Sequence, residues 1–215
     1  MKDTMMTDDT LTLTVVERHD DKGEIMRLVL APEAGALPQV TAGAHIDILV
    51  DTPQGQLWRQ YSLAGDPANR SQWTLGILKD PASRGGSVAL HGTVATGGTL
   101  QITGPRNHFG LDHTAQKTVL IGGGIGITPM IAMAYELDRL GADFELHYAT
   151  RGADRTAFKD VLDAAPFAGR VVYHYDDSDT KVSEHVVPDA HPGTHVYICG
   201  PQGFMDWMIG VAEGK

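Results

Sequence analysis

Residues 119–129 read Val-Leu-Ile-Gly-Gly-Gly-Ile-Gly-Ile-Thr-Pro, an apolar run that stops at a glycine cluster and resumes as a helix start. Such a run forms a strand buried on both faces followed by a tight turn, because an all-apolar strand suits a sheet covered on both sides and glycine lets the chain turn sharply. A parallel sheet needs crossover connections, so strands and helices have to alternate after this point. They do. Thr118–Ile121 and His195–Cys199 are short and almost wholly apolar, as strands buried on both faces should be, and Glu145–Ala149 is a further strand, while Met130–Leu140 and Ala157–Ala164 carry helical spacing. An open parallel sheet with helices on both faces is expected, its ligands lying beyond the carboxyl ends of the strands.

The first half has a different period. Leu11, Leu13 and Val15 alternate with polar neighbours, as do Met26, Leu28 and Leu30, then Ile46, Ile48 and Val50, then Trp73, Leu75 and Ile77. Asp21-Lys22-Gly23, Thr52-Pro53-Gln54-Gly55 and Thr96-Gly97-Gly98 separate them as turns. Short alternating strands with tight turns suggest a small antiparallel barrel. The change of pattern falls near Asp112–Gln116, so two domains are expected, over 1–112 and 117–215.

Composition narrows the partners. A formal net charge of -10 argues against nucleic acid or an anionic membrane, both of which reward clustered Lys and Arg. No stretch approaches the roughly 20 apolar residues of a membrane span, and Met1–Thr10 is polar without a signal-peptide core, so a cytoplasmic location is expected. The one cysteine, Cys199, excludes an internal disulfide and a Cys-based metal cluster within this chain. Ten histidines lie scattered without metal-ligand spacing, and Asp176-Asp177-x-Asp179 lacks the rest of a calcium loop, so no metal site is expected.

Four segments carry chemistry. Glycines 122, 123, 124 and 126 would let the backbone approach a pyrophosphate, with Thr128 as N-cap and Pro129 as first helical residue, although a merely tight strand-to-helix connection has the same needs. A dinucleotide fingerprint also wants an acidic residue about 20 positions on, for the ribose hydroxyl. Here the next strand ends in Thr150-Arg151, so the ordinary fingerprint fails. Cys199-Gly200-Pro201 closes the last strand and opens a helix with Pro201 at its first position; Cys199 is either a buried small hydrophobe or a polarizable group set against a reacting ring. Arg59-Gln60-Tyr61-Ser62 offers a phosphate partner, a flat aromatic and a hydroxyl, or is simply an edge strand. Ser83-Arg84-Gly85-Gly86-Ser87 before the helical Val88–His91 could cradle a phosphate or be a glycine turn with a solvated arginine.

In order along the chain, Arg59-x-Tyr61-Ser62-Leu63, Lys79 after its strand, Arg84-Gly85-Gly86-Ser87, Gly104-Pro105-Arg106-Asn107-x-Phe109, Gly122–Pro129, Tyr148-x-Thr150-Arg151 and Cys199-Gly200-Pro201-x-x-x-Met205-Asp206 resemble the ferredoxin–NADP reductase-type flavin oxidoreductases. The likeness is greatest to the phthalate dioxygenase reductase and vanillate O-demethylase reductase branch. It implies a six-stranded antiparallel flavin-binding barrel followed by a parallel-sheet nucleotide-binding α/β domain. It also implies FMN, with FAD as the alternative, and an NADH-dependent electron-transfer reductase. Tyr61 would stack on the flavin, Ser62 would hydrogen-bond its N5 edge, and Arg59, Arg84 and Ser87 would hold phosphate, with Leu63, Ile77, Lys79, Gly85 and Gly86 completing the flavin site. Gly123, Gly124, Gly126, Thr128, Pro129, Thr150, Arg151, Cys199, Gly200 and Pro201 would serve the nucleotide, Thr128 and Cys199 flanking the nicotinamide. NADH is expected over NADPH because the surroundings of Thr150–Arg155 hold only Arg151 and Arg155 as cations, though these two could accept a 2′-phosphate.

Members of this branch continue into a last strand and a 2Fe-2S ferredoxin domain, whereas this sequence stops at Gly214-Lys215, so a fragment lacking that domain is expected. The implied partner is the oxygenase component of a two-component, Rieske-type system. Two other readings remain open: a reductase for a haem protein or free flavin, and a non-catalytic flavin- or nucleotide-binding redox module.

Overall fold

The computed structural model describes residues 10–82 and 85–215; Arg84 and the first nine residues lie outside the described residues. Its first half is a six-stranded antiparallel sheet built from β1 (Thr10–Asp20), β2 (Ile25–Ala31), β3 (His45–Thr52), β4 (Gly55–Ser62) and β5 (Trp73–Leu78), then helix α1 (Gly86–Thr93) and β6 (Thr99–Thr103). The spatial order is β4-β3-β6-β1-β2-β5. The edge strands β4 and β5 curl toward each other and meet just past β4, where Leu63 bridges Leu75 and Ala64 N donates to Thr74 O at 2.8 Å. A bulge between Val15 and Glu17 helps bend β1. The alternating residues of the sequence point inward as expected: Leu13, Val15, Met26, Leu28, Leu30, Ile46, Ile48, Leu75 and Ile77 are buried together.

The second half is a four-stranded parallel sheet of β7 (Lys117–Gly123), β8 (Asp143–Thr150), β9 (Val171–Tyr175) and β10 (Thr194–Cys199), in the order β10-β7-β8-β9. Helix α2 (Ile127–Arg139) follows β7, the short α3 (Lys159–Asp163) follows β8, and α4 (Gln202–Glu213) follows β10. Leu120, Leu146 and Tyr148 pack under α2 on one face; Val119 and Ile121 pack with Met208 of α4 and Val186 on the other. Both faces are thus covered.

Three local expectations need correction. β10 lies at the sheet edge and is half-buried along its length, so burial on both faces holds for β7 and not for β10. The helix expected over 157–164 shrinks to α3, because Phe158 sits at φ 58° in the left-handed region and breaks the helical path. α2 begins at Ile127, which puts Thr128 and Pro129 second and third in the helix; Thr128 Oγ1 donates to Ile125 O at 3.0 Å and does not cap.

The two sheets share an apolar contact. Ile25, Ala42 and Ala64 of the first half are buried in the same cluster as α2. Ala42 N donates to Glu136 Oε2 at 3.2 Å. On the other side, the β1–β2 turn is tied to the segment after β8: Asp21 Oδ2 accepts from Phe158 N at 2.9 Å, and Arg27 makes paired 2.9 Å hydrogen bonds to Asp160. Between these contacts Gly76 of β5 meets α2 so closely that a Cβ there would lie 2.8 Å from Thr128 Cγ2 and from the Phe158 ring. Among the described residues no helix is long and apolar enough to cross a membrane.

Candidate functional site

Two open clefts lie where the carboxyl ends of β7, β8 and β10 face the barrel. The first, about 370 Å³, has Arg59, Tyr61 and Ser62 of β4 on one wall and Thr128, Cys199 and Gly200 on the other. Segments 59–62, 128 and 199–200 thus converge, although neither the barrel nor the parallel sheet could bring them together alone. Gly76 and Leu78 of β5 form the floor, with Asp80 and Ser87 at one end.

Arg59 occupies a special place there. Its Nη1 donates to Trp58 O at 2.9 Å, while its buried Nη2 has no hydrogen-bond partner among the described residues. The side chain runs along the start of α1, where a Cβ on Gly86 would lie 2.8 Å from Arg59 Cγ and Nε. Gly85 precedes that helix at φ 86°, and no side chain caps it among the described residues. A buried cationic N–H next to a glycine-built helix start suits an anion, because an ion there would satisfy a donor that otherwise lacks a partner. Ser87 Oγ accepts from Asp80 N at 3.2 Å and so ties this helix start to the loop after β5.

Tyr61 and Cys199 are kept neutral. Burial pushes the Tyr61 hydroxyl up to about 12, with the nearby Arg59 charge opposing the shift, so the ring is an uncharged flat surface. Burial also pushes the Cys199 thiol up, with a backbone hydrogen bond from Gly200 working against it. A protonated thiol is a poor nucleophile and a good polarizable contact. Of the two readings of Cys199, this environment favours the contact.

The second cleft, about 560 Å³, continues from the first past Ile125 and contains Gly123, Gly124, Thr150, Arg151 and Pro201. Lys79 and Asp80 border it from the barrel side. Here the glycine cluster divides. Gly124, at φ 54°, has open space where a Cβ would be, whereas a Cβ on Gly126 would lie 2.2 Å from Cys199 O and one on Gly123 would lie 2.8 Å from the Phe204 ring. All three border the clefts, but only Gly124 has room for a side chain; Gly123 and Gly126 must stay bare so that the β7 and β10 turns and α4 can pack. Pro201 is the N-cap of α4, at ψ 147°, and not its first helical residue.

Some expected residues stand apart. Leu63 and Ile77 are buried in the barrel core and Pro129 is buried within α2. Arg84 lies outside the described residues. Gly76, Leu78, Asp80, Ile125 and Phe204 line the clefts without having been singled out. Gly76 had a signal, since an isolated glycine inside a strand marks a close approach of something to the backbone. No cluster of three or more His, Cys, Asp or Glu able to hold a metal occurs among the described residues.

Known proteins resemble this chain in sequence and fold. Residues 120–208 match the oxidoreductase NAD-binding domain. The chain is 42% identical over 203 residues to a vanillate O-demethylase oxidoreductase of Pseudomonas putida, covering 94% of this chain and 63% of that protein. Its structure superposes on phthalate dioxygenase reductase, described as a modular structure for electron transfer from pyridine nucleotides to [2Fe-2S], with a TM-score of 0.87 and 34% identity over 96% of this chain and 65% of that one. It matches part of an intact type IV self-sufficient cytochrome P450 monooxygenase equally well, with a TM-score of 0.87 and 36% identity over 95% of this chain and 26% of that one. The chain therefore spans less than two thirds of the length of these relatives.

Proposed function

This chain belongs to the ferredoxin–NADP reductase-type oxidoreductases, alongside the vanillate O-demethylase and phthalate dioxygenase reductases, and from that premise we propose that it is the flavin- and nucleotide-binding part of a reductase that draws on NADH to feed electrons to the oxygenase component of a Rieske-type system. The observation that carries the reading is the first cleft, in which Arg59, Tyr61 and Ser62 from one sheet face Thr128 and Cys199 from the other. The flavin-binding unit would extend over 1–112 and the nucleotide-binding unit over 117–215.

Flavin fits the cleft on one physical ground, the buried Nη2 of Arg59, which has no partner among the described residues, beside the start of α1. A phosphate of either flavin would satisfy that nitrogen; the terminal phosphate of FMN, carrying the larger charge, suits a guanidinium clamp best, so FMN is the flavin proposed, with FAD as the alternative. A bound flavin supplies the exchange of a hydride for single electrons, chemistry that side chains lack. The protein's residues supply position. Tyr61 would offer its face, Ser62 its hydroxyl at the edge of the reacting ring, and Thr128 and Cys199 would hold the nicotinamide against the opposite side. Orientation of this kind removes much of the entropic cost of bringing two rings together. Gly124, Thr150, Arg151, Gly200 and Pro201 would border the rest of the nucleotide in the larger cleft.

With a single cysteine, this stretch of sequence cannot supply the four thiolates of a plant-type 2Fe-2S centre. That relay would have to come from elsewhere in the electron-transfer system. The match to part of a cytochrome P450 monooxygenase favours a second acceptor class, a haem protein, for the same flavin half.

The test is direct. Flavin released from the protein by heat should be FMN by mass, the native protein should be yellow and bleach with NADH under anaerobic conditions, and ferricyanide should be reduced catalytically. Reduction of an oxygenase or haem partner should require an added iron–sulfur protein. Recovery of FAD alone would overturn the FMN assignment, and absence of any flavin after reconstitution would overturn the whole reading.

A further inference from the structure

The larger cleft carries charges of both signs, and its two arginines are not equally available. Arg151 forms no ion pair among the described residues, whereas Arg155 Nη2 lies 3.7 Å from Glu24 Oε2. Glu24 comes from the barrel. It sits between β1 and β2 at φ 61°, in the left-handed region that non-glycine residues rarely adopt. The turn is pinned there against the segment that follows β8. A Cβ on Gly23, itself at φ 65°, would lie 2.7 Å from Arg155 O, and Lys22 Nζ donates to Ala153 O at 3.1 Å. One structural unit thus delivers a carboxylate to the rim of a cleft whose other rim is built by the second unit, and sets it against one of the two cations that follow β8.

We infer that Glu24 is a specificity-determining residue of the nucleotide site, one that disfavours dinucleotides phosphorylated on the ribose 2′ position. It acts by engaging Arg155, which would otherwise pair with that phosphate. β8 ends at Thr150, followed by Arg151, with no carboxylate at this carboxyl end, so discrimination has to come from a neighbour. The inference rests on the reading of this cleft as the pyridine-nucleotide site.

Calorimetric titration of the full chain with 5′-AMP and with 2′,5′-ADP separates the possibilities, because these two probes differ only by the 2′-phosphate. In Glu24→Gln the affinity ratio should move toward 2′,5′-ADP by about three- to tenfold relative to the unmodified protein, as expected for one partly exposed charge. The gain should vanish when Arg155→Ala is added. An unchanged ratio in Glu24→Gln overturns the inference, as does a gain that persists without Arg155. So does a shift produced by Asp176→Asn, at another acidic position of the cleft, in place of Glu24→Gln. If the unmodified protein binds neither probe, the nucleotide-site reading itself fails and this inference with it.

Discussion

Ser62 and the two glycines of the β7–α2 turn separate chemistry from packing at single positions. Ser62→Ala should leave flavin bound but slow its reduction by NADH about tenfold, on the order of 1.4 kcal/mol, if its hydroxyl acts mainly during transfer; an unchanged stopped-flow rate would remove that role. Gly126→Ala and Gly124→Ala should behave very differently. A Cβ at 126 collides with the Cys199 carbonyl at 2.2 Å, so urea denaturation should show a loss of about 3 kcal/mol or more. At 124 there is room, and only the φ of 54° resists, for a loss of about 1 kcal/mol. The sequence shows four glycines of equal standing here. Which of them has room for a side chain depends on Phe204 and Cys199, which lie about eighty residues downstream and meet the turn only in the fold.

Among elements, β1, β2, β3 and β5 were legible because large apolar side chains at alternate positions of each enter the barrel core, and a period of two survives any pairing order. Their spatial order was not legible, since β3 beside β6 and β1 between β6 and β2 are long-range choices that alternation does not encode. The Arg59–Ser62 strand was found by its chemistry, and its burial alone would not have marked it. The face of β8 and β9 opposite α2 holds a pattern that spacing did not reveal: His147 Nδ1 lies 3.0 Å from His174 Nε2 in a stacked pair. Burial lowers both imidazoles below the ordinary 6.5, and for His147 the proximity of His174 lowers it further. The unfolded chain therefore binds more protons than the folded one as pH falls through that range, so stability is full above about pH 7 and declines toward pH 5. Urea midpoints measured across that window should show this slope, and His147→Gln with His174→Gln should flatten it. The slope that remains belongs in part to His45, whose imidazole is also lowered by burial, then by His108 and Arg106.

At the scale of the molecule, the clefts exist only while the barrel and the parallel sheet stay docked. Arg27→Ala removes the paired hydrogen bonds to Asp160 and the contact of the guanidinium over the Phe158 ring. Because Asp160 is two-thirds exposed, the loss should be about 1–2 kcal/mol. Its signature should be a parting of the two unfolding transitions. Fluorescence of the barrel's Trp58 and Trp73, read in a Trp207→Phe background, should change ahead of or behind the circular dichroism of the helices; coincident curves would show that the apolar contact through Ala42, Ala64 and α2 suffices. Between the latch and that contact lies Gly76, pressed against Thr128 and Phe158. The missing methyl group works as a gauge: it sets how near one half of the molecule stands to the other. Adding it back would act as a shim a fraction of an ångström thick, leaving each half intact while widening the gap across which they must cooperate.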